Sequence, residues 1–223
     1  MSALTNKNAF VSHIKQKSYI AESYRLLRTN IQFSSVNRAV QTIVVTSALP
    51  SEGKTTTVSN LAIVYAQENK KVLLIDADMR RPELHQLFGR PNMQGLSNLL
   101  AGQITAQEAV CDTHIGNLSI LTSGPIPPNP AELLASIRME ALMKELRDMF
   151  DVILIDSPPA LQVTDTQLLA AQCDGVVLVV NSGRVKRDHV RKAVSSLEFV
   201  KARILGVVLN NKRKKSKGTL YTQ

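Results

Sequence analysis

Residues 48–56 read Ala-Leu-Pro-Ser-Glu-Gly-Lys-Thr-Thr. This is the phosphate-loop pattern in the form A-x-x-x-x-G-K-T-T, with Ala48 where a first glycine usually stands. A β-branched apolar run, Thr42 to Thr46, precedes it, and a helix-like stretch, Thr55 to Gln67, follows. Strand, loop and helix therefore come in the order the motif requires. Such a loop wraps backbone N–H groups around phosphate oxygens, and the helix N-terminus adds partial positive charge. Lys54 would reach the β- and γ-phosphates, and the Thr55 hydroxyl would face Mg²⁺. The bland alternative is a Gly-Lys turn at a helix start.

Two acidic sites fall where this loop needs them. Residues 72–80 read Val-Leu-Leu-Ile-Asp-Ala-Asp-Met-Arg, an apolar run with carboxylates at its C-terminal end. In extended chain Asp76 and Asp78 point to the same side. Residues 152–159, Val-Ile-Leu-Ile-Asp-Ser-Pro-Pro, form a second such run ending in Asp156. In an open parallel sheet the ligand crevice lies outside the carboxyl ends of the strands, so Lys54, Asp76, Asp78 and Asp156 are expected at one edge. Asp156 suits the acidic metal-holding position that partners the loop. Asp76 or Asp78 could accept a proton from an attacking hydroxyl.

Further strands are expected at 118–122, 175–181 and 204–210, with helical patterns at 19–33, 130–150, 164–171 and 187–200. Strands alternating with helices predict an α/β fold: a doubly wound, mostly parallel sheet with helices on both faces and right-handed crossovers. Four prolines between Pro125 and Pro130 force an extended loop, with Pro130 suited to the first helical position.

Composition narrows the function classes. A chain of 223 residues that is 44% hydrophobic can bury one good α/β core. No apolar run approaches the roughly 20 residues needed to span a bilayer, and the polar N-terminus lacks the apolar core of a signal peptide. Cys111 and Cys173 have no metal-ligand spacing and read as reduced thiols. The absence of tryptophan and the 4% aromatic content argue against a base-stacking surface, and no specific nucleic-acid partner is expected. The net charge of +9 is concentrated in residues 184–223, which hold 12 of the 27 basic and 2 of the 18 acidic residues. The run Lys212 to Lys217, followed by Gly218, should be solvated.

The order D-x-D-x-R after the phosphate loop, then D-x-P-P, resembles the bacterial tyrosine kinases, a branch of the deviant-Walker P-loop NTPases. Three more segments fit that branch. Glu22, Arg25 and Arg28 match its E-x-x-R-x-x-R oligomerisation helix, residues 123–134 resemble its Pro-rich segment, and the basic C-terminus ending in Tyr221 resembles its phosphorylated tail. Ala48 to Glu52 contains no lysine, whereas the partitioning ATPases carry an extra one near the start of the loop. The family tail usually clusters several tyrosines, and here Tyr221 stands alone.

The resemblance implies an ATP- and Mg²⁺-dependent kinase that phosphorylates its own tail in trans and regulates capsular or extracellular polysaccharide synthesis. On this reading Ser51, Glu52, Gly53, Lys54, Thr55, Thr56 and Asn210 bind ATP. Thr55, Asp78 and Asp156 hold Mg²⁺. Lys54, Asp76 and Asp78 are catalytic, with Asp76 the candidate base, and Tyr221 is the acceptor. It implies a cytoplasmic chain recruited to the inner membrane face by a separate transmembrane activator. It also implies a homo-oligomer, in the family a ring of eight, with protein substrates in polysaccharide synthesis and a cognate tyrosine phosphatase. The expected organisation is an extension over 1–18, a kinase domain over 19–211 and a basic tail over 212–223. A partitioning-type ATPase, which passes phosphate only to water, and a regulatory ATP-binding scaffold remain as competing readings.

Overall fold

Six apolar runs pair side by side into one sheet in the computed structural model, which describes residues 10, 17–34 and 39–211. They are β1 (Thr42–Ser47), β2 (Val72–Asp76), β4 (Leu118–Leu121), β5 (Val152–Asp156), β6 (Gly175–Asn181) and β7 (Ile204–Asn210). A short seventh strand, β3 (Val110–Asp112), pairs antiparallel with β4. The order is β3-β4-β2-β5-β1-β6-β7, and every other pairing is parallel. All residues of β1, β2, β5 and β6 are buried, the pattern of a parallel sheet covered on both faces.

The strands' two-residue period sorts their side chains onto two faces. Ile43, Val45, Leu74 and Leu154 pack with Val58, Leu61 and Ala62 of α2 (Lys54–Ala66). Val44, Leu73, Ile75 and Ile153 face the opposite layer. That layer holds α4 (Leu96–Leu100), α5 (Ala106–Ala109), α6 (Pro130–Leu134), α7 (Ile137–Met149) and α8 (Asp165–Gln172). A single-turn helix, α3 (Leu84–Leu87), follows β2, and α9 (Arg187–Phe199) precedes β7.

Helix α1 (Tyr19–Ser34) lies outside α2. Arg28 fixes it there, donating through Nη1 to the Val64 carbonyl at 3.0 Å and pairing through Nη2 with Glu68 at 2.6 Å. Phe10, within the expected extension, is buried with its ring centroid 4.8 Å from that of Phe88. The tail 212–223, with Tyr221, lies outside the described residues.

The single helix expected over 130–150 is two. Ser136 adopts an extended backbone, and its hydroxyl accepts from the Met139 N–H, so it ends one helix and caps the next. The strand β3 was not expected, because three residues with two exposed side chains carry too little periodicity to be read.

A polar clamp closes the end of the sheet away from the phosphate loop. Asp174 Oδ2 accepts from the backbone N–H groups of Gln41 and Thr42, from the Thr42 hydroxyl and from Arg147 Nη1, all within 3.0 Å. Burial raises the Asp174 pKa, but Arg147, the Thr42 and Gln41 amides and the Thr42 hydroxyl outweigh it and hold the carboxyl below its ordinary value. A depressed carboxyl stabilises the fold above its unfolded pKa, and that contribution disappears as pH falls through the folded value. Asp174→Ala should therefore destabilise the fold at pH 7 by about 1–2 kcal/mol, since it leaves two strand-entry amides without their acceptor. The deficit relative to wild type should shrink in acid. Urea unfolding at pH 7 and pH 3 measures both.

Candidate functional site

The site begins where β1 runs out. The loop 48–53 turns between β1 and α2 with two residues in the left-handed region, Ser51 at φ 61° and Gly53 at φ 91°. Serine tolerates this at some cost. Glycine is required at 53, where a Cβ would also lie 2.1 Å from Asn210 Nδ2.

An anion inside a phosphate loop looks self-defeating, yet Glu52 is buried in this one. Its carboxylate is committed to backbone groups. Oε1 accepts from the Leu49 N–H at 2.6 Å and Oε2 from the Asn181 N–H at 2.9 Å. Asn210 Nδ2 donates to the Glu52 carbonyl at 2.9 Å. Glu52 and Asn210 therefore brace the loop against the carboxyl ends of β6 and β7.

The parallel register brings the acids together. Val45 pairs with Asp156, and Asp156 with Asp76, because β5 inserts between β1 and β2. Lys54 Nζ lies 3.0 Å from Asp78 Oδ2, 3.9 Å from Asp156 Oδ1 and 3.4 Å from Thr55 Oγ1. Asp78 Oδ1 accepts from the Arg81 N–H at 3.1 Å, so both Asp78 oxygens are engaged. Asp76 Oδ2 accepts from the N–H groups of Glu83 and Leu84 at 3.1 and 3.0 Å. Asp76 Oδ1 and Asp156 Oδ1 are buried without a hydrogen-bond donor.

Three carboxylates thus face one ammonium. Burial lifts the Asp156 pKa to about 6, more than Lys54 and the Thr55 hydroxyl lower it. Burial, with repulsion from Asp156, lifts Asp76 well above the ordinary carboxyl range despite its two backbone donors. Burial alone would lower Lys54, but Asp156 and Asp78 outweigh it and raise its pKa. The cluster lacks positive charge. It fits a divalent cation, with Thr55, Asp78 and Asp156 as the residues to hold one. No group of three or more acidic, His or Cys side chains forms a complete metal cage among the described residues. Mg²⁺ rarely uses one, being held by one or two carboxylates plus substrate phosphates.

The structure brings Ser51, Glu52, Gly53, Lys54, Thr55, Thr56 and Asn210 together around the loop, and Asp76, Asp78 and Asp156 beside it. Exposed Glu22 and half-buried Arg25 pair at 2.8 Å on α1, while Arg28 turns inward. Of the tyrosines that are described, Tyr65 is buried with its pKa raised to about 12, chiefly by burial, and Tyr24 is also raised by burial. Tyr19 is 67% exposed. Sequence reasoning missed Asn181, which acts through its main-chain N–H, and Asp165, which holds Arg80 at 2.8 Å. The Asp165 signal was an acid in the first turn of α8, which reads only as a helix start. The Pro-rich segment is pinned by reciprocal bonds between the Asn92 side chain and the Gly124 backbone, at 2.7 and 2.9 Å.

A family model described as an AAA domain matches residues 40–210. The chain is 44% identical over 203 residues to the tyrosine-protein kinase YwqD of Bacillus subtilis, covering 91% of this chain and 86% of that protein. Among solved structures it matches the chimerical protein CapA2B2 with a TM-score of 0.90 at 43% identity, over 93% of this chain and 91% of that one. It matches the kinase domain of the Escherichia coli tyrosine kinase ETK with a TM-score of 0.89 at 33% identity, over 96% and 84%.

The raised Asp156 pKa has a testable sign. A carboxyl raised in the folded state makes stability fall as pH rises from the unfolded value to about 6, and the cost stays above that. Asp156→Asn should therefore melt higher than wild type at pH 7.5 without nucleotide or Mg²⁺, and the gap should narrow at pH 5. The same variant should lose the gain in nucleotide affinity that Mg²⁺ gives. Thermal melts and fluorescent-nucleotide titrations with and without Mg²⁺ measure both.

Proposed function

This chain belongs to the bacterial tyrosine-protein kinases, and we propose that it transfers the γ-phosphoryl group of ATP to tyrosine, with its own Tyr221 as an acceptor. The observation that carries this reading is the Lys54–Asp78–Asp156 cluster beside a braced phosphate loop. A bound Mg²⁺ would neutralise charge on the β- and γ-phosphates. Loop amides and Lys54 stabilise the charge that develops on the transferring group. For Lys54 to do so its ammonium leaves Asp78 for phosphate, which frees the Asp78 oxygen it now occupies.

Asp76 is the better placed base. Its Oδ1 has no donor, whereas Asp78 Oδ1 accepts from the Arg81 N–H and the Oδ2 that Lys54 vacates is the oxygen this reading gives to the cation. Its raised pKa suits a group that must accept the proton of a tyrosine hydroxyl, whose own pKa is about 10. Tyr24 and Tyr65, with pKa values raised by burial, are poor acceptors.

The same reading includes assembly through Glu22 and Arg25, a transmembrane activator at the inner face of the membrane, and a role in capsular or extracellular polysaccharide synthesis. Among the described residues no helix is long and apolar enough to cross a membrane. A partitioning-type ATPase is disfavoured by the loop itself, since Ala48 to Glu52 offers no lysine.

Incubation with Mg²⁺·ATP, followed by phosphotyrosine detection and mass spectrometry, tests the activity. Lys54→Met should lower the rate on the order of 10²-fold or more with the fold intact. Tyr221→Phe should lose most of the label and keep ATP binding. ATP hydrolysis without phosphotyrosine on the wild-type chain would contradict the kinase reading, and label confined to Tyr19 would move the acceptor. For assembly, Glu22→Ala with Arg25→Ala leaves the Arg28–Glu68 pair intact. It should reduce the oligomer mass by light scattering without changing nucleotide affinity.

A further inference from the structure

Arg80 is the one charged side chain of the D-x-D-x-R segment that nothing above employs. Its guanidinium makes a two-pronged contact with Asp165, Nε to Oδ2 at 2.8 Å and Nη2 to Oδ1 at 3.0 Å. The Arg80 side chain is 41% exposed, whereas that of Asp165 is fully buried at the first position of α8. A buried carboxylate satisfied by a fork of two N–H groups is a directional contact that fixes both partners. The helix N-terminus favours the Asp165 charge as well.

What this contact joins matters more than its strength. Arg80 lies in the turn 78–81, closed by the Arg81 N–H donating to the Asp78 carbonyl and to Asp78 Oδ1, both at 3.1 Å. Met79, between them, is buried in the core. Asp165 begins the helix whose next residue, Thr166, donates its hydroxyl to the Pro158 carbonyl at 2.6 Å. Ser157 and Pro158 directly follow Asp156, and the Asp156 carbonyl accepts from the Ala77 N–H at 2.9 Å. The contacts form a closed ring: Asp156 to Ala77, the Asp78 turn, Arg80, Asp165, Thr166, Pro158 and back. Both carboxylates assigned to the cation hang from this ring. Arg80 thus ties the Asp78 turn to α8, which is itself bonded to the segment that follows Asp156.

We propose that Arg80 is a positioning residue, which acts through Asp165 to hold the Asp78 carboxylate at a fixed separation from Asp156. The inference rests on the assignment of Asp78 and Asp156 to Mg²⁺ made above. It assigns Arg80 no contact with nucleotide or acceptor.

The test uses the full-length chain with Arg80→Met, Arg80→Lys, Asp165→Asn and the double variant Arg80→Met/Asp165→Asn, which leaves no charge stranded in the core. Three quantities are read for each: affinity for a fluorescent ATP analogue without Mg²⁺, the Mg²⁺ concentration for half-maximal nucleotide binding, and kcat with KM for ATP. Affinity without Mg²⁺ should match wild type, because the loop and Lys54 are untouched. Half-saturation should move to higher Mg²⁺, and kcat should fall on the order of tenfold to a hundredfold, the loss expected when a reacting group shifts by about 1 Å. The double variant should be no worse than the poorer single variant, since the two residues act as one unit. Arg80→Lys should recover part of the loss, having the charge but not the fork. Wild-type Mg²⁺ dependence in Asp165→Asn alongside a kcat loss in Arg80→Met would overturn the proposal, because Arg80 would then act on substrate directly. Equal loss of Mg²⁺-free nucleotide binding in all four variants would also overturn it, as a general defect of folding. Mg²⁺-dependent nucleotide binding is read independently of phosphotyrosine. A wild-type chain that binds Mg²⁺·ATP but forms no phosphotyrosine would therefore refute the kinase reading and leave the positioning role of Arg80 standing.

Discussion

Uncompensated negative charge at the carboxyl ends of two adjacent parallel strands is the constraint on which the site depends. Asp76 and Asp156 sit side by side by register, Asp78 follows two residues on, and Lys54 is the cation among them. Burial makes each ionised carboxylate costly, which is why Asp76 and Asp156 are held above the ordinary carboxyl range. A fold does not keep such a cluster for stability, since replacing buried charges by neutral groups often stabilises. The arrangement makes sense as one side of a partnership whose other side is a divalent cation and a polyphosphate.

The rest of the molecule can be understood as holding this charge still. Glu52 and Asn210 fasten the phosphate loop, with its left-handed residues Ser51 and Gly53, to β6 and β7. The Asp174 clamp fixes the far ends of β1 and β6, and the strands carry that rigidity across the sheet. Helix α1 lies outside this frame, tied to α2 by Arg28 while Glu22 is exposed and Arg25 half-buried. A peripheral position is compatible with the proposed role of this helix in assembly, away from the nucleotide site.

How much of this was legible in the sequence follows from how local each signal is. The phosphate loop, the runs ending in Asp76 and Asp156, and the alternation of strands with helices are each encoded within about ten residues. The structure has them at the expected places. The insertion of β5 between β1 and β2 was not legible, because pairing order leaves no periodic trace. Nor was the Arg80–Asp165 fork, whose partners lie 85 positions apart. The resemblance places Glu52 among the ATP-binding residues, and the role of its carboxylate in bracing the Leu49 and Asn181 amides was not legible. Arg28 shares a helical spacing with Glu22 and Arg25, and its long side chain also reaches Glu68 in the turn that follows α2. Ser136 splits an apparently continuous helix because a single hydroxyl can serve as a cap, a choice that periodicity over 130–150 obscures.

On the proposed function the acidic cluster takes a divalent cation brought in with nucleotide. Calorimetric titration of the wild-type chain at pH 6 with a non-hydrolysable Mg²⁺·ATP analogue tests it directly when run in two buffers of different ionisation enthalpy. With the Asp156 pKa near 6 in the empty site, cation binding must expel protons, so the apparent enthalpy should differ between buffers and show net proton release. The release should diminish at pH 8. Equal enthalpies in both buffers at pH 6, or equal affinity when Mg²⁺ is chelated, would contradict the account.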